Sequence, residues 1–408
     1  MRVAVRSGPR SARRLVWGAL ALAAVVAAWG SVAAAEEAPA PPVLAAPSAV
    51  LEDASTGRVL YQRGADVVRP PASMAKIMTL VLAVDALRTG KVRPTDLVAV
   101  SDDAYRTGGA QIWLEPGEVL PFGQLVTAVA VGSANDAAVA IAEHLSGSVP
   151  AFVAEMNARA AKIGMRHTRF VNPNGLDAAG QETRTTAMDM ARLGAYASRM
   201  PDLLRLTSTR EDRSLRNGKG GHLWLVNTNR LLRVVPGVDG LKTGFTNAAG
   251  YCLTATAERS GLRLVAVVMG DPSSKVRFQD ATSLLNWGYA NYRAEYAIRR
   301  GERVGAVPVR GGRTRAVAAV AAADAVFTLP RTAQAARVER AVRLWPTVDA
   351  PVRAGQTLGR ATVRMPGVGS ARVDLVAAVD VPRAHPLDLL RRLVGLLPQG
   401  LHERRTAP

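Results

Sequence analysis

A change of period along the chain constrains its fold most. After Pro71 the apolar residues recur at helical spacing to about Arg88, with no Gly or Pro inside and Gly90 just beyond. Similar spacing returns at about 121–145, 150–163 and 185–199. It then stops. Three β-rich runs follow at Val238–Thr246, 250–258 and 262–270, with turn residues at Asn247 to Gly250 and at Ser260-Gly261. Residues 49–61 alternate around Ser55-Thr56-Gly57 and predict a β-hairpin, and 279–292 read as helix again. Strands at both ends of a helical centre predict an α/β (α+β) domain over 48–292, its sheet assembled from both ends of the segment.

The flanks read differently. Residues 1–14 carry Arg2, Arg6, Arg10, Arg13 and Arg14 and no acid, and Leu15 to Trp29 is a run of 15 residues without a polar side chain. Ala33-Ala34-Ala35 then suits a cleavage site, so 1–35 is expected to be a signal peptide rather than an uncleaved anchor. The run is short beside the roughly 20 apolar residues a spanning helix needs. Residues 36–47 are a Pro/Ala-rich leader. Beyond 293, short Val-rich runs are divided by Gly301, Gly311-Gly312, Pro330, Pro346, Pro351, Gly355 and Pro366-Gly367, which predicts a small β-rich domain over 293–384. In the tail, 385–408, a helical wheel puts Leu387, Leu389, Leu390, Leu393, Val394, Leu396 and Leu397 on one half and Asp388, Arg391, Arg392 and Gly395 on the other. Bracketed by Pro386 and Pro398, this predicts an amphipathic helix suited to a membrane surface, or to packing on the preceding domain.

Charge and ligand chemistry narrow the function. The formal net charge is +19, yet 36–292 hold 27 basic and 24 acidic residues while 293–384 hold 16 and 7. For an exported chain this excess suits anionic lipid or cell-wall polymer, or is only a solvated arginine-rich surface; nucleic acid is not expected as a partner. The single cysteine excludes an internal disulfide framework. No C-x-x-C or H-E-x-x-H pattern is present, so neither a metal nor a cofactor is expected. His144, His167 and His222 share no motif with an acid and a serine, Glu143 reads as structural, and Cys252 reads as a small buried apolar residue.

Three motifs carry chemistry. Ser73-Met74-Ala75-Lys76 opens the first expected helix, and its i,i+3 spacing puts hydroxyl and amine on one face. A serine hydroxyl needs a nearby base, and a lysine whose pKa is lowered by burial and neighbouring positive charge is one. Ser133-Ala134-Asn135 lies 57 residues beyond Lys76, in a turn where such residues either hand on protons and hold an amide or merely cap a helix. Lys242-Thr243-Gly244 lies on an expected strand, whose edge can pair with an extended peptide. Each motif alone is weak. All three in this order, on a helix start, a turn and a strand, are not.

The set resembles the S-x-x-K, S-x-N and K-T-G motifs of penicillin-binding proteins and serine β-lactamases. The flanking residues narrow the resemblance to the low-molecular-mass D-alanyl-D-alanine carboxypeptidases: Pro71 to Thr79 (PASMAKIMT), Ser133 to His144 (SANDAAVAIAEH), Asn172 to Leu176 (NPNGL), Asp239 to Thr246 (DGLKTGFT) with Ala249-Gly250-Tyr251, and Leu284 to Gly288 (LLNWG). It covers about 48–292; the β-rich region and the tail match that family's second domain and membrane anchor in layout only. The resemblance implies a β-lactamase/transpeptidase-like domain, with an antiparallel sheet and a helical subdomain. It implies that Ser73 attacks the carbonyl before the terminal D-alanine of a peptidoglycan stem peptide and forms an acyl-enzyme. Lys76 would be the base, Ser133 the proton relay and Asn135 a hydrogen-bond partner of the substrate backbone. Lys242, Thr243 and Gly244 would line the pocket, the backbone N–H groups of Ser73 and Phe245 would form the oxyanion hole, and Arg277 would lie near the terminal carboxylate. β-Lactams would be covalent inhibitors, and the place of work would be the periplasm or the outer face of the cytoplasmic membrane. Phe245 departs from the His or Thr of several members, which bears on substrate choice rather than on the backbone role.

Three alternatives share these residues. A class A β-lactamase needs an added Glu for deacylation, and the corresponding neighbourhood, Arg166-His167-Thr168-Arg169-Phe170, holds no acid. A transpeptidase would use the same acyl-enzyme with an amine in place of water. A non-catalytic cell-wall binding protein would not need Ser73, Lys76, Ser133, Asn135 and Lys242 intact.

Overall fold

The computed structural model describes residues 40–177, 180–215, 221–334 and 337–385. The expected signal segment at 1–35 and the expected helix within 386–398 lie outside them. Among the described residues no single helix is long and apolar enough to cross a membrane.

The β-rich runs form one antiparallel sheet. Its strands are β1 (Ser48–Asp53), β2 (Arg58–Arg63), β3 (Val238–Thr246), β4 (Gly250–Arg259) and β5 (Leu262–Asp271), in the order β2-β1-β5-β4-β3. The hairpin from the start of the segment thus zips onto strands 200 residues later through β1 and β5, Leu51 facing Ala266. The β4–β5 turn uses Ser260 and Gly261, both at positive φ (50° and 78°), as a two-residue turn that follows strand twist requires. At the other hairpin Asp53 accepts from the Ser55 amide (2.8 Å) and the Thr56 hydroxyl (2.6 Å), which closes the Ser55-Thr56-Gly57 turn.

Both faces of the sheet are covered, so its central strands are mostly buried and largely apolar, with buried exceptions such as Glu52, Thr254 and Thr256. On one face lie helix α1 (Lys76–Arg88), helix α2 (Asn135–Ser146) and helix α3 (Ala187–Ala197), whose core includes Val50, Met78, Leu80, Ile141, Leu193, Val265 and Val267. On the other lies α4 (Ser274–Asn291), where Leu284 and Leu285 join Leu51, Leu253, Leu264 and Val268. Each large aliphatic side chain so enclosed contributes about 1.5–3 kcal/mol.

Within the helical part, the stretch read as helical at about 121–145 divides at the expected turn of Ser133-Ala134-Asn135. A helix at Phe122–Thr127 runs into a π-helical turn, Ala128–Gly132, and stops at Ser133, whose φ of 64° is left-handed. The chain restarts as α2 at Asn135. The apolar period runs through the break because both halves pack in the same core, so periodicity alone could not show it. The first helix is also finer than expected: Ala72–Ala75 is a 3₁₀ turn, and the α-helix begins at Lys76.

The C-terminal region is β-rich as expected. Tyr292–Ile298 pairs with Ala325–Pro330, and a six-stranded sheet holds Arg303–Arg310, Ala316–Ala321, Glu339–Leu344, Val348–Asp349, Thr357–Met365 and Gly369–Ala377. They enclose their own core around Phe327, Leu358, Val363 and Leu375. This part docks beside the β1–β2 turn: the Thr328 hydroxyl donates to Asp53, and Arg58 donates to the Thr328 carbonyl at 2.7 Å.

Asp136, fully buried at the start of α2, ties the helical part together. Its carboxylate accepts from the amides of Ile112 (3.0 Å), Leu114 (3.2 Å) and Ala137 (2.8 Å), anchoring the loop before it to the helix. Removing the acceptor orphans three amides at once. Asp136→Ala is therefore expected to lower unfolding stability by about 3 kcal/mol or more. Chemical denaturation of purified protein measures this, and a loss under about 1 kcal/mol would contradict the anchoring role.

Candidate active site

The nucleophile motif gains its geometry from the 3₁₀ turn. With three residues per turn, residues i and i+3 eclipse, so Ser73 and Lys76 lie one above the other and Lys76 Nζ is 2.8 Å from Ser73 Oγ. The amine also donates to the Asn174 carbonyl at 2.8 Å. Ser73 is partly exposed whereas Lys76 is completely buried. Burial holds the Lys76 amine well below the ordinary lysine range; the Lys242 charge pushes the same way, and Asp136 opposes both. This shift favours the neutral amine, the form able to accept a proton from the hydroxyl beside it.

Asn172 to Leu176, quoted above only for its resemblance, is what pins the motif. The Pro173 carbonyl accepts from the Thr79 hydroxyl (2.6 Å), and Asn174 supplies the carbonyl on Lys76. Gly175 has φ 80°, and a Cβ there would stand 2.0 Å from the Ala72 carbonyl oxygen, so only glycine allows this loop to lie against the nucleophile turn. The loop presents its Asn174 carbonyl to Lys76.

Ser133 is buried at the left-handed residue between the π-helical turn and α2. It makes no cap for α2: the capping position belongs to Ala134, which has no side-chain bond. Asn135 is buried too; its Nδ2 donates to the Gly108 carbonyl (2.7 Å) and its backbone N–H to Ala110 (2.7 Å). Its Oδ1 is buried without a hydrogen-bond partner, an acceptor position left for a donor.

The third motif lies on β3, the edge of the sheet, next to the 3₁₀ turn. At Gly244 a Cβ would stand 2.5 Å from the Pro71 carbonyl and 3.3 Å from Ala72 Cβ, so glycine is required for the strand to close on the 3₁₀ turn. Lys242 is buried, donates to the Thr243 carbonyl at 3.2 Å, and is pushed down to about 7 by burial and by the Arg277 charge. Thr243 is buried, its hydroxyl 2.7 Å from that of Thr228. Phe245 is half exposed and stacks on Tyr251, ring centres 4.3 Å apart.

Arg277 is buried behind this strand. Its guanidinium donates to the carbonyls of Gly244 (3.1 Å) and Cys252 (3.4 Å) and to the Ser274 hydroxyl (3.2 Å), and burial lowers its pKa to about 10. It therefore braces the Lys242-Thr243-Gly244 strand and adds positive charge behind it. Cys252 is buried, and burial pushes its thiol up to about 11, in keeping with an apolar packing role. Among the described residues no cluster of His, Cys, Asp and Glu is suited to a metal ion.

Two contributors escaped the sequence reading. Asp136, which the sequence does not single out, anchors the loop through the amides of Ile112 and Leu114. Thr228 carried no signal beyond the asparagines on either side of it.

Comparisons with known proteins agree with this geometry. Residues 35–273 match the family model described as D-alanyl-D-alanine carboxypeptidase, and 292–383 match that of the penicillin-binding protein 5 C-terminal domain. The D-alanyl-D-alanine carboxypeptidase DacF of Bacillus subtilis is 36% identical over 350 residues, covering 86% of this chain and 89% of the relative. Penicillin-binding protein 5 from Haemophilus influenzae superposes with a TM-score of 0.65 at 33% identity, over 84% of this chain and 99% of that one. Penicillin-binding protein D2 from Listeria monocytogenes in its ampicillin-bound form gives 0.55 at 33% identity, over 61% and 99%. With the fold, the motif set and both parts of the chain in agreement, the chain belongs to the D-alanyl-D-alanine carboxypeptidase family, the low-molecular-mass penicillin-binding proteins, and is a serine-type carboxypeptidase.

Proposed function

We propose that the chain removes the terminal D-alanine from peptidoglycan stem peptides through an acyl-enzyme on Ser73, and that β-lactams acylate the same hydroxyl. The contact that carries this reading is the 2.8 Å hydrogen bond from a fully buried Lys76 amine to Ser73 Oγ. Neutral Lys76 takes the Ser73 proton as Oγ attacks the carbonyl before the terminal residue. The oxyanion develops against the backbone N–H groups of Ser73 and Phe245, which need no reorganisation at that moment. Ser133 passes the proton to the departing amine, and the free Oδ1 of Asn135 accepts from a substrate amide. The terminal carboxylate meets the Thr243 hydroxyl with the charges of Lys242 and Arg277 behind it. Water then attacks the acyl-enzyme and releases the shortened peptide.

The absence of an acid at Arg166-His167-Thr168-Arg169-Phe170, the neighbourhood in which a class A β-lactamase would carry its deacylating Glu, favours this reading over a β-lactamase. Peptidoglycan as substrate implies work outside the cytoplasm, which the basic, apolar and small-residue order of 1–35 supports. We further assign 48–292 to catalysis and 293–384 to a separate β-rich domain, and read 386–398 as a membrane-surface helix.

Mass spectrometry of residues 36–408 with a D-Ala-D-Ala-terminated pentapeptide and with benzylpenicillin is the direct test. Loss of one alanine and a penicilloyl adduct on Ser73 are expected, and neither with Ser73→Ala. An adduct without alanine release would instead indicate a transpeptidase, and fast penicillin turnover without an adduct a β-lactamase. Lys76→Ala is expected to slow acylation by about 10²–10⁴-fold, the usual worth of a positioned base. The pH profile of kcat/KM is expected to be bell-shaped. Its acid limb comes from Lys76, a base lost as pH falls through its lowered pKa. Its alkaline limb comes from Lys242, a carboxylate partner lost as pH rises through about 7 in the free enzyme. A profile that rises steadily to pH 10 would contradict the Lys242 assignment.

A further inference from the structure

We infer that Thr228 is a positioning residue that sets the direction of the Thr243 hydroxyl proton, and so governs recognition of the substrate carboxylate; this rests on the carboxypeptidase reading above. Thr228 Oγ1 and Thr243 Oγ1 are 2.7 Å apart, close enough for a good O–H···O hydrogen bond in which either can donate. A carboxylate only accepts. When one sits against Thr243, the Thr243 proton must point at it, and the remaining Thr243 lone pair can then accept the Thr228 proton. The two hydroxyls become a short relay with a single direction, each bond polarising the next.

The surroundings hold Thr228 for this task. The side chains of Asn227 and Asn229 are buried although the residue between them is exposed. Asn227 Nδ2 donates to the carbonyls of Thr207 (3.1 Å) and Thr209 (2.8 Å), and its Oδ1 accepts from the Asn229 amide (2.9 Å). Asn229 Nδ2 donates to the Gly240 carbonyl (3.0 Å), on the same strand as Thr243, and its Oδ1 accepts from the Leu231 amide (3.2 Å). A turn fixed at both flanks to buried backbone, one flank being β3 itself, leaves the central hydroxyl little freedom of position. Because Thr228 is exposed, its hydroxyl has water as an alternative partner, and its bond to Thr243 is a matter of direction more than of stability.

The test compares a probe that bears the carboxylate with one that does not. Second-order acylation by benzylpenicillin and by its methyl ester is measured for the native protein and for Thr228→Val and Thr228→Ser, with thermal melting alongside. Thr228→Val is expected to slow acylation by benzylpenicillin about tenfold and to leave the methyl ester within about twofold, with an unchanged melting curve. It is also expected to raise KM for the D-Ala-D-Ala peptide more than it lowers kcat. Thr228→Ser, which keeps the hydroxyl, is expected to restore the native rate. On a Thr243→Val background, Thr228→Val is expected to add nothing further. Equal slowing with both probes, no slowing with either, or full additivity with Thr243→Val would overturn the inference. A native protein acylated by neither probe would overturn the Ser73 reading itself.

Discussion

A primary amine removed from water, that of Lys76, is the constraint to which the site's surroundings answer. Burying an ammonium costs several kcal/mol unless it is paired, and what surrounds this one is a hydroxyl and a carbonyl, not a carboxylate in contact. Burial therefore favours the neutral form of the amine. Ordinary stability would place an apolar side chain at this point in the core. A lysine there, hydrogen-bonded to Ser73, trades stability for reactivity.

The other elements keep that amine dry while leaving Ser73 within reach. The loop of Gly175 closes over one side and the strand of Gly244 over another, each at a distance that no other residue permits. Behind the strand, Arg277 grips the Gly244 and Cys252 carbonyls, and a second buried amine, Lys242, lies on the strand itself. Positive charge thus gathers around a site designed to meet a negative one. Each cation lowers the pKa of a neighbour: Arg277 that of Lys242, and Lys242 that of Lys76. Under the proposed function the same cluster would serve both substrate binding and activation of the base.

Much of the fold was legible in the sequence because its signals are local. The β4–β5 turn announces itself in Ser260-Gly261, and β3 was bounded correctly at Val238–Thr246 by the punctuation around it. The turn at Ser133 to Asn135 shows in its residue types, whereas the π-helical turn before it interrupts the α-helix without interrupting the apolar pattern. Asp136 carries no local sign of its role. An acid beside a helix start is usually a cap, and only the return of the loop at 108–114 turns it into an anchor for amides far away in the chain.

The sequence by itself determined the chemistry: a serine with a lysine three residues on, a Ser/Asn pair, and a Lys-Thr-Gly strand, in an order that points to one reaction class. Only the tertiary structure decided how those groups are made reactive. Burial lowers the Lys76 amine, and burial is a property of the assembled core. The 3₁₀ turn aligns Ser73 with Lys76, and Arg277, expected near the substrate carboxylate, grips the carbonyls of Gly244 and Cys252. Thr228 and Thr243, fifteen residues apart, meet only because two buried asparagines fold the intervening turn against β3. Residue types survive in a linear string, whereas distance, desolvation and the direction of a proton exist only once the chain has closed on itself.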